Sequence, residues 1–322
     1  MDEDVRQVFK GFRGKIDRSA RKIIEDFPDN RLMPHHAELY AALRLPGGEE
    51  PEPWPLRAAA HVLTCNARCI GCISQQEEGS KICAPPVSAT FTPTPEEVVE
   101  IMRFHVAARL KSRSFLRQGC EGEPLTAPLL IESVRRYREA GGHGTINLNS
   151  NSSRPQAIAE LAEAGLTSLR VSLNSARPEV YERYYRPHGY TFGDVRQSII
   201  EARSRGVHVA VNLLYFPGIT DTEEEIEALI ELFQSTGISL VQLRNLNIDP
   251  EFYPSLLEGI SFGPSVGLNN FRKRIRRACP WITYGYFNPY LGDKADLGDT
   301  PMPGEWKPAP LEVSEAEEES GN

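Results

Sequence analysis

The stretch "VHVAVNLL" spans residues 207–214 and alternates as far as Leu213. Val207, Val209, Val211 and Leu213 take one side; His208, Ala210 and Asn212 take the other. A period of two marks a strand. "LRVSLN" (169–174) repeats the pattern, with Leu169, Val171 and Leu173 against Arg170, Ser172 and Asn174. "VQLRN" does so again, with Val241 and Leu243 against Gln242 and Arg244. A parallel strand covered on both faces is apolar on both. Here one face is repeatedly polar. That implies an apolar face under helices and an inner face lining a polar cavity. The alternative is that these polar side chains are satisfied structural hydrogen bonders.

Working outward, strand-like runs fall at 58–64, 114–119, 144–149, 167–173, 207–214 and 239–246. Helical runs fall between them, at 95–110, 126–140, 154–164, 193–205 and 222–235. Thr94-Pro95-Glu96-Glu97 reads as a capping box with Pro at the first helical position. Thr222 and Glu225 read as a second reciprocal cap, ahead of Ile226, Leu229, Ile230 and Phe233. Gly141, Gly165, Gly206 and Gly237 follow helices, where a left-handed residue is needed. Strand–helix alternation implies a parallel sheet with right-handed crossovers. The expected fold is α/β, a partial (β/α)6 TIM-type barrel; an open doubly wound sheet is the alternative. The expected divisions are an N-terminal helical extension and linker (1–55), the barrel (56–250), a closing segment (251–299) and a disordered acidic tail (300–322).

The chain has 322 residues, 40% hydrophobic and 25% charged, with a net charge of −8. Those values suit a globular protein. An acidic chain gains little from counterion release, so a nucleic acid is not the expected partner. No apolar run approaches the roughly 20 residues that span a bilayer. The start, "MDEDVRQVFKGF", lacks a signal-peptide core. The cytoplasm is the expected compartment.

Polar residues gather where the strands end: "LNSN" (148–151), "SLNS" (172–175), Asn212 and "RNLN" (244–247). Active sites of parallel barrels lie on that rim, although Asn and Ser are also ordinary turn formers. Three of the 6 cysteines crowd into "HVLTCNARCIGC" (61–72), as Cys65, Cys69 and Cys72. Three thiolates from one loop can hold three corners of an iron–sulfur cube and leave one iron open. Zinc sites favour paired C-x2-C motifs, and no second pair exists. Cys83, Cys120 and Cys279 are scattered.

Cys-x3-Cys-x2-Cys after the first strand of such a barrel resembles the radical S-adenosylmethionine (radical SAM) superfamily, over roughly residues 58–248. The resemblance implies a [4Fe–4S] cluster on Cys65, Cys69 and Cys72, with SAM chelating the open iron through its amino and carboxylate groups. It implies SAM cleavage to methionine and a 5′-deoxyadenosyl radical that abstracts hydrogen. "RQGCEGEPL" (117–125) resembles the family's Gly-Glu-Pro segment, which receives the SAM amino group; the implied residues are Gly122, Glu123 and Pro124. Asn149, Ser172, Asn174 and Asn212 are the implied contacts to ribose and carboxylate, with Arg244 beside them. "LLYFPGITDTEEEI" (213–226) is similar to the family's fifth-strand exit. The family usually places an aromatic residue before the third cysteine, whereas this chain has Gly71. No Cys-rich C-terminal extension follows, so a single cluster is expected. The implied partners are a small-molecule or peptide substrate and an electron donor such as a flavodoxin or ferredoxin. The competing readings are a non-catalytic iron–sulfur or metal-binding redox sensor and a zinc hydrolase. The hydrolase would also need histidine ligands, and the 7 His are dispersed.

Overall fold

The computed structural model describes residues 24–35, 64–72, 91–107, 113–116, 122–245, 250–285 and 291. Within them, six parallel strands form one sheet in the order β1-β2-β3-β4-β5-β6. They are β1 Arg113–Leu116, β2 Thr145–Ser150, β3 Ser168–Leu173, β4 His208–Tyr215, β5 Leu240–Asn245 and β6 Thr283–Tyr284. The helices are α1 Pro95–Ala107, α2 Leu129–Glu139, α3 Pro155–Ala164, α4 Pro178–Tyr185, α5 Phe192–Ser204, α6 Glu223–Thr236, α7 Phe252–Ser255 and α8 Leu268–Ala278.

Spatial order equals chain order, so every crossover steps the same way. The helices follow one another in a row, α1 on α2, α2 on α3, α3 on α5, α5 on α6 and α6 on α8. A doubly wound sheet reverses direction at a switch point and puts helices on both faces. Neither feature is present among the described residues. Among the described residues the fold is a partial (β/α) barrel, wound one way and not closed. The expected strand at 58–64 lies outside the described residues except for Thr64. So do the linker, most of the N-terminal extension, the C-terminal tail, Cys83 and Cys120. The strand that completes the six is Thr283–Tyr284, inside "WITYGYFNPY".

The alternation does what it predicted on the helix-covered face. Leu169, Val171, Val209, Val211, Leu213 and Val241 are all buried, each at most 1% exposed. Helix boundaries follow local chemistry. Thr94 and Glu97 make their capping box, Glu97 N–H to Thr94 Oγ1 at 3.3 Å and Thr94 N–H to Glu97 Oε2 at 2.7 Å. Thr191 and Asp194 make another at the start of α5. α6 ends on Gly237, whose φ of 66° lies in the left-handed region. The second expected cap does not form. The Thr222 side chain makes no cap bond, and Glu225 is turned elsewhere. α4, which lies between the expected strand 167–173 and helix 193–205, packs Val180, Tyr181, Tyr184 and Tyr185 into the core.

The candidate active site

Three chain segments meet where β1 and β2 end. The cysteine loop is held by backbone pairing with the segment after α4. Arg68 N–H donates to Tyr185 O and Ile70 N–H to Tyr184 O, both at 3.0 Å. His188 N–H donates to Asn66 O at 2.8 Å, with Ala67 bridged to Pro187. Behind the loop, Tyr181, Tyr184, Tyr185 and Tyr190 form an aromatic cluster, with Tyr181 stacked on Tyr185 at 4.4 Å. Cys69 packs against that core.

The Gly-Glu-Pro turn lies beside the loop. Glu123 N–H donates to Thr64 O at 2.9 Å, one residue before Cys65. Gly122 takes φ 69°, which a side chain would resist, and Pro124 opens a short 3-10 turn. Glu123 is fully buried. Its carboxylate accepts from Ser150 Oγ at 2.6 Å, Asn151 N–H at 2.9 Å and Leu125 N–H at 3.1 Å. Asn66 closes the triangle: its Oδ1 accepts from Asn151 Nδ2 and its Nδ2 donates to Ser153 Oγ, both at 2.9 Å. Glu123 thus ties the Gly-Glu-Pro turn to the end of β2, and Asn66 ties the end of β2 to the cysteine loop.

The same device appears one strand on. Leu-Asn-Ser ends β2 at 148–150 and follows β3 at 173–175. Ser175 Oγ donates to Glu225 Oε2 at 2.5 Å and Ala176 N–H to Oε1 at 2.8 Å, matching Ser150 and Asn151 on Glu123. Each serine oxygen accepts the N–H two residues on, from Ser152 at 2.8 Å and Arg177 at 3.0 Å. Two buried carboxylates therefore fix two neighbouring rim loops. This is why Glu225 does not cap its own helix. The local pattern T-x-x-E is the same whether its Glu folds back or reaches across to another strand.

Burial pushes the Glu225 carboxyl up to about 7 from an ordinary 4.5, against the pull of the Ser175 hydroxyl and the Ala176 N–H. Burial, then the Arg203 cation, lowers the His208 imidazole to about 4 from 6.5. The signs oppose. A raised acid binds its proton in the folded state, so its contribution is present below pH 4.5 and lost as pH rises to about 7. A depressed histidine is protonated first in the unfolded state, so its contribution is lost as pH falls from 6.5 to about 4. In the wild type the two slopes largely offset. Glu225→Gln should uncover the histidine slope, with a loss on the order of 1–3 kcal/mol between about pH 6.5 and 4.5. Urea unfolding across that range checks it. Parallel pH profiles for variant and wild type would contradict the assignment.

The implied SAM contacts lie along the polar face. Ser172 and Asn212 stand opposite one another on β3 and β4, with Gln242 next on β5. Asn149, Ser172, Asn212 and Arg244 are half-buried, each at or near a strand end. Asn174 differs: it is buried, and its amide nitrogen donates to Val180 O at 3.2 Å and Tyr253 Oη at 3.1 Å. Only its Oδ1 is left without a partner. Lower on the face the polar groups bond one another, Ser168 Oγ to Asn147 Oδ1 at 2.8 Å and Asn147 Nδ2 to Asn149 Oδ1 at 2.9 Å. The face is thus polar for both reasons, internal bonding below and half-buried groups at the rim. The sequence alone makes Glu225 a helix cap and Gln242 one more polar residue of an alternating strand, and does not point to Tyr253, because their partners are distant in the chain.

The three thiols fit an iron–sulfur ligand. All are reduced, Cys65 exposed and Cys69 and Cys72 half-buried. Burial raises the Cys69 thiol well above its usual range, and neighbouring Cys72, Cys65 and Glu123 raise it further. Burial likewise raises Cys65, with Glu123 and Cys72 adding to it. Thiolates crowded beside a carboxylate need a cation to hold them ionised. Among the described residues no three His, Cys, Asp or Glu side chains are arranged around a single ion. A cube places each thiolate on a different iron, so its ligands stand further apart than those of zinc. Cys279 is fully buried in the core at the end of α8 and is no part of this group.

The Radical SAM superfamily model matches residues 60–233, more than half of the chain and including all three cysteines. Among curated proteins, the GTP 3′,8-cyclase of Aquifex aeolicus is 30% identical over 195 residues, covering 58% of this chain and 55% of that protein. The probable GTP 3′,8-cyclase of Thermococcus kodakarensis is 32% identical over 188 residues, with the same coverages of 58% and 55%. The chain thus spans just over half the length of these relatives. Among solved structures, the Streptococcus suis SuiB bound to S-adenosylmethionine aligns with a TM-score of 0.49 at 12% identity, covering 86% of this chain and 61% of SuiB. No helix among the described residues is long and apolar enough to cross a membrane. From the match across its cysteine loop, Gly-Glu-Pro turn and strands β1 to β4, the chain belongs to the radical SAM superfamily of enzymes, and its cofactors are that family's [4Fe–4S] cluster and S-adenosylmethionine.

Proposed function

We propose that the chain cleaves SAM reductively and uses the resulting radical to take a hydrogen atom from a small-molecule or peptide substrate. One observation carries the reading. The cysteine loop and the Gly-Glu-Pro turn are bonded together at Thr64 and Glu123, on the rim where the half-buried polar residues gather. The chemistry supplied when both cofactors are bound is one-electron cleavage of SAM to methionine and a 5′-deoxyadenosyl radical, then hydrogen abstraction.

The protein's own part is to bind, orient and shield. Cys65, Cys69 and Cys72 ligate three irons. The tyrosine cluster keeps water from the Cys69 side. Gly122 permits a close backbone approach to the methionine end of SAM, and Pro124 fixes the turn. The Glu123 carboxylate positions the site through Ser150 and Asn151, while its backbone, in the Gly-Glu-Pro turn, receives the SAM amino group. Asn149, Ser172 and Asn212 meet ribose and carboxylate, with Arg244 on the next strand. Asn174 contributes through Oδ1, since its amide hydrogens are bonded to Val180 and Tyr253.

A small substrate accords with relatives named for GTP and with the acidic chain, which disfavours RNA. The electron donor we assign is a flavodoxin or ferredoxin, and the compartment is the cytoplasm. Anaerobic incubation with SAM and dithionite tests the activity. Formation of 5′-deoxyadenosine and methionine, read by mass spectrometry, is expected. SAM left intact by a fully reconstituted protein would refute it.

A further inference from the structure

We propose that Tyr253 is a positioning residue of the SAM site: its hydroxyl holds the Asn174 amide so that Oδ1 faces an O–H or N–H of the ligand. Its SAM role rests on the reading of Asn174 proposed above. Tyr253 lies on α7, beyond the residues 60–233 that the superfamily model matches. It is thus a contribution of this chain's C-terminal segment.

Residues 252–267 run as a strap past the exits of β3 and β4. Arg183 Nη1 donates to Leu256 O at 3.3 Å, and Arg177 Nη1 to Ser261 O at 3.1 Å. Ser265 Oγ donates to Asp221 Oδ2 at 2.7 Å. Those three anchors tie the strap to α4 and to the loops after β3 and β4. Tyr253 is a fourth, and of these four it alone reaches a candidate site residue. It is 1% exposed, and its Oη accepts from Asn174 Nδ2 at 3.1 Å. Its ring stands edge-on to Tyr184 at 5.7 Å and to Phe216 at 5.4 Å. Tyr184 in turn accepts from Ile70 N–H of the cysteine loop. The ring is therefore wedged between the loop after β4 and the helix that carries the cysteine loop.

Two observations give the Asn174 amide a direction. The first is its donor side. A carbonyl oxygen only accepts, so the atom 3.2 Å from Val180 O is the amide nitrogen. Tyr253 Oη takes the other amide hydrogen. Turning the amide over would break both bonds, which fixes Oδ1 on the opposite side. The second is that Oδ1 is buried and has no donor. Asn174 as a whole is 1% exposed, and native structures rarely keep such an acceptor unfilled. A ligand hydroxyl is a donor of the required class. Without the Tyr253 hydroxyl, one amide hydrogen loses its acceptor, and Asn174 is free to pivot about the single bond to Val180.

The test is calorimetric titration of the full, anaerobically reconstituted chain with SAM, without reductant so that SAM stays intact. The variants are Tyr253→Phe, Asn174→Ala and the two combined. Ser265→Ala is the control, since it loosens the strap at Asp221 and leaves Asn174 untouched. Y253F keeps the ring and its packing. Its SAM affinity should fall by about fivefold or more, the order of one lost hydrogen bond. N174A should lose at least as much. In the N174A background, Y253F should change affinity by less than about twofold, because a residue acting through Asn174 has nothing left to hold. A merely structural role would cost the same in both backgrounds. S265A should bind SAM as the wild type does. Unchanged affinity in Y253F or in N174A, additive losses in the double variant, an equal fall in S265A, or no SAM binding by the wild type would each overturn the assignment. SAM cleavage by the reduced wild type is scored separately. Coupled losses of binding in a chain that forms no 5′-deoxyadenosine would uphold the positioning role and refute the proposed activity.

Discussion

Single replacement of Cys65, Cys69 or Cys72 by Ala should leave a folded protein that retains little iron and forms no detectable 5′-deoxyadenosine. The reasoning starts from the ligand count. Three thiolates are the minimum that holds a cube while one iron stays open for the cofactor. Removing one leaves two, and two neighbouring iron positions lose their order. Fold should be spared, because Cys65 is exposed, Cys69 and Cys72 are half-buried, and the loop is held by backbone bonds from Arg68, Ile70 and His188. Cys279→Ala is the control. That residue is fully buried at the end of α8, so its variant should keep iron and cleavage, with a small loss of stability. The measurements are iron and sulfide content, circular dichroism and product formation. Full iron and cleavage in all three loop variants would remove the site assigned here.

The second large effect is expected at Glu123. Its buried carboxylate receives Ser150 Oγ, Asn151 N–H and Leu125 N–H. Glu123→Ala strands these donors without water. Each such group costs about 1–3 kcal/mol, so a loss of about 3–5 kcal/mol is expected. For a chain of this size that lowers the melting temperature by roughly 10 °C. Glu123→Gln should rescue only part. Its remaining oxygen can take the place of Oε1 and accept from Ser150 and Leu125, but the NH2 in place of Oε2 cannot accept from Asn151. Because Asn151 also holds Asn66 beside Cys65, the same variant should weaken SAM binding in whatever fraction stays folded. Thermal melts of both variants decide this. A melting temperature within about 2 °C of wild type would show that the Glu123 clamp is not what joins the rim.

What was legible in the chain was whatever has a short period. Val207 to Leu213 fix a strand and its covered face because a strand's side chains alternate by simple geometry. Thr94 to Glu97 fix a helix start because both partners lie within one turn. The cysteine motif is legible for the same reason, since its ligands come from eight consecutive residues, Cys65 to Cys72. Illegible features depend on register. Glu225 satisfies a helix-cap pattern and yet serves the loop after β3, a choice fixed only when α6 lands beside Ser175. Arg170 reads as one more polar residue in an alternation until β4 and β5 bring Asn212 and Gln242 to it. "PEVYERYY" carries too many aromatics for a clean helical stripe, since α4 is covered by the cysteine loop as well as by Phe192 and Tyr253. Thr283–Tyr284 is too short to declare itself, and becomes a strand because Leu240 and Val241 leave an edge for it.

The central claim is that three cysteines hold a cluster with one iron open to SAM. The most direct test is electron paramagnetic resonance on anaerobically reconstituted, dithionite-reduced protein, recorded with and without SAM. The account predicts a reduced [4Fe–4S] signal whose g values shift when SAM is added, as the cofactor takes the open iron. A cluster signal that SAM leaves unchanged would contradict it.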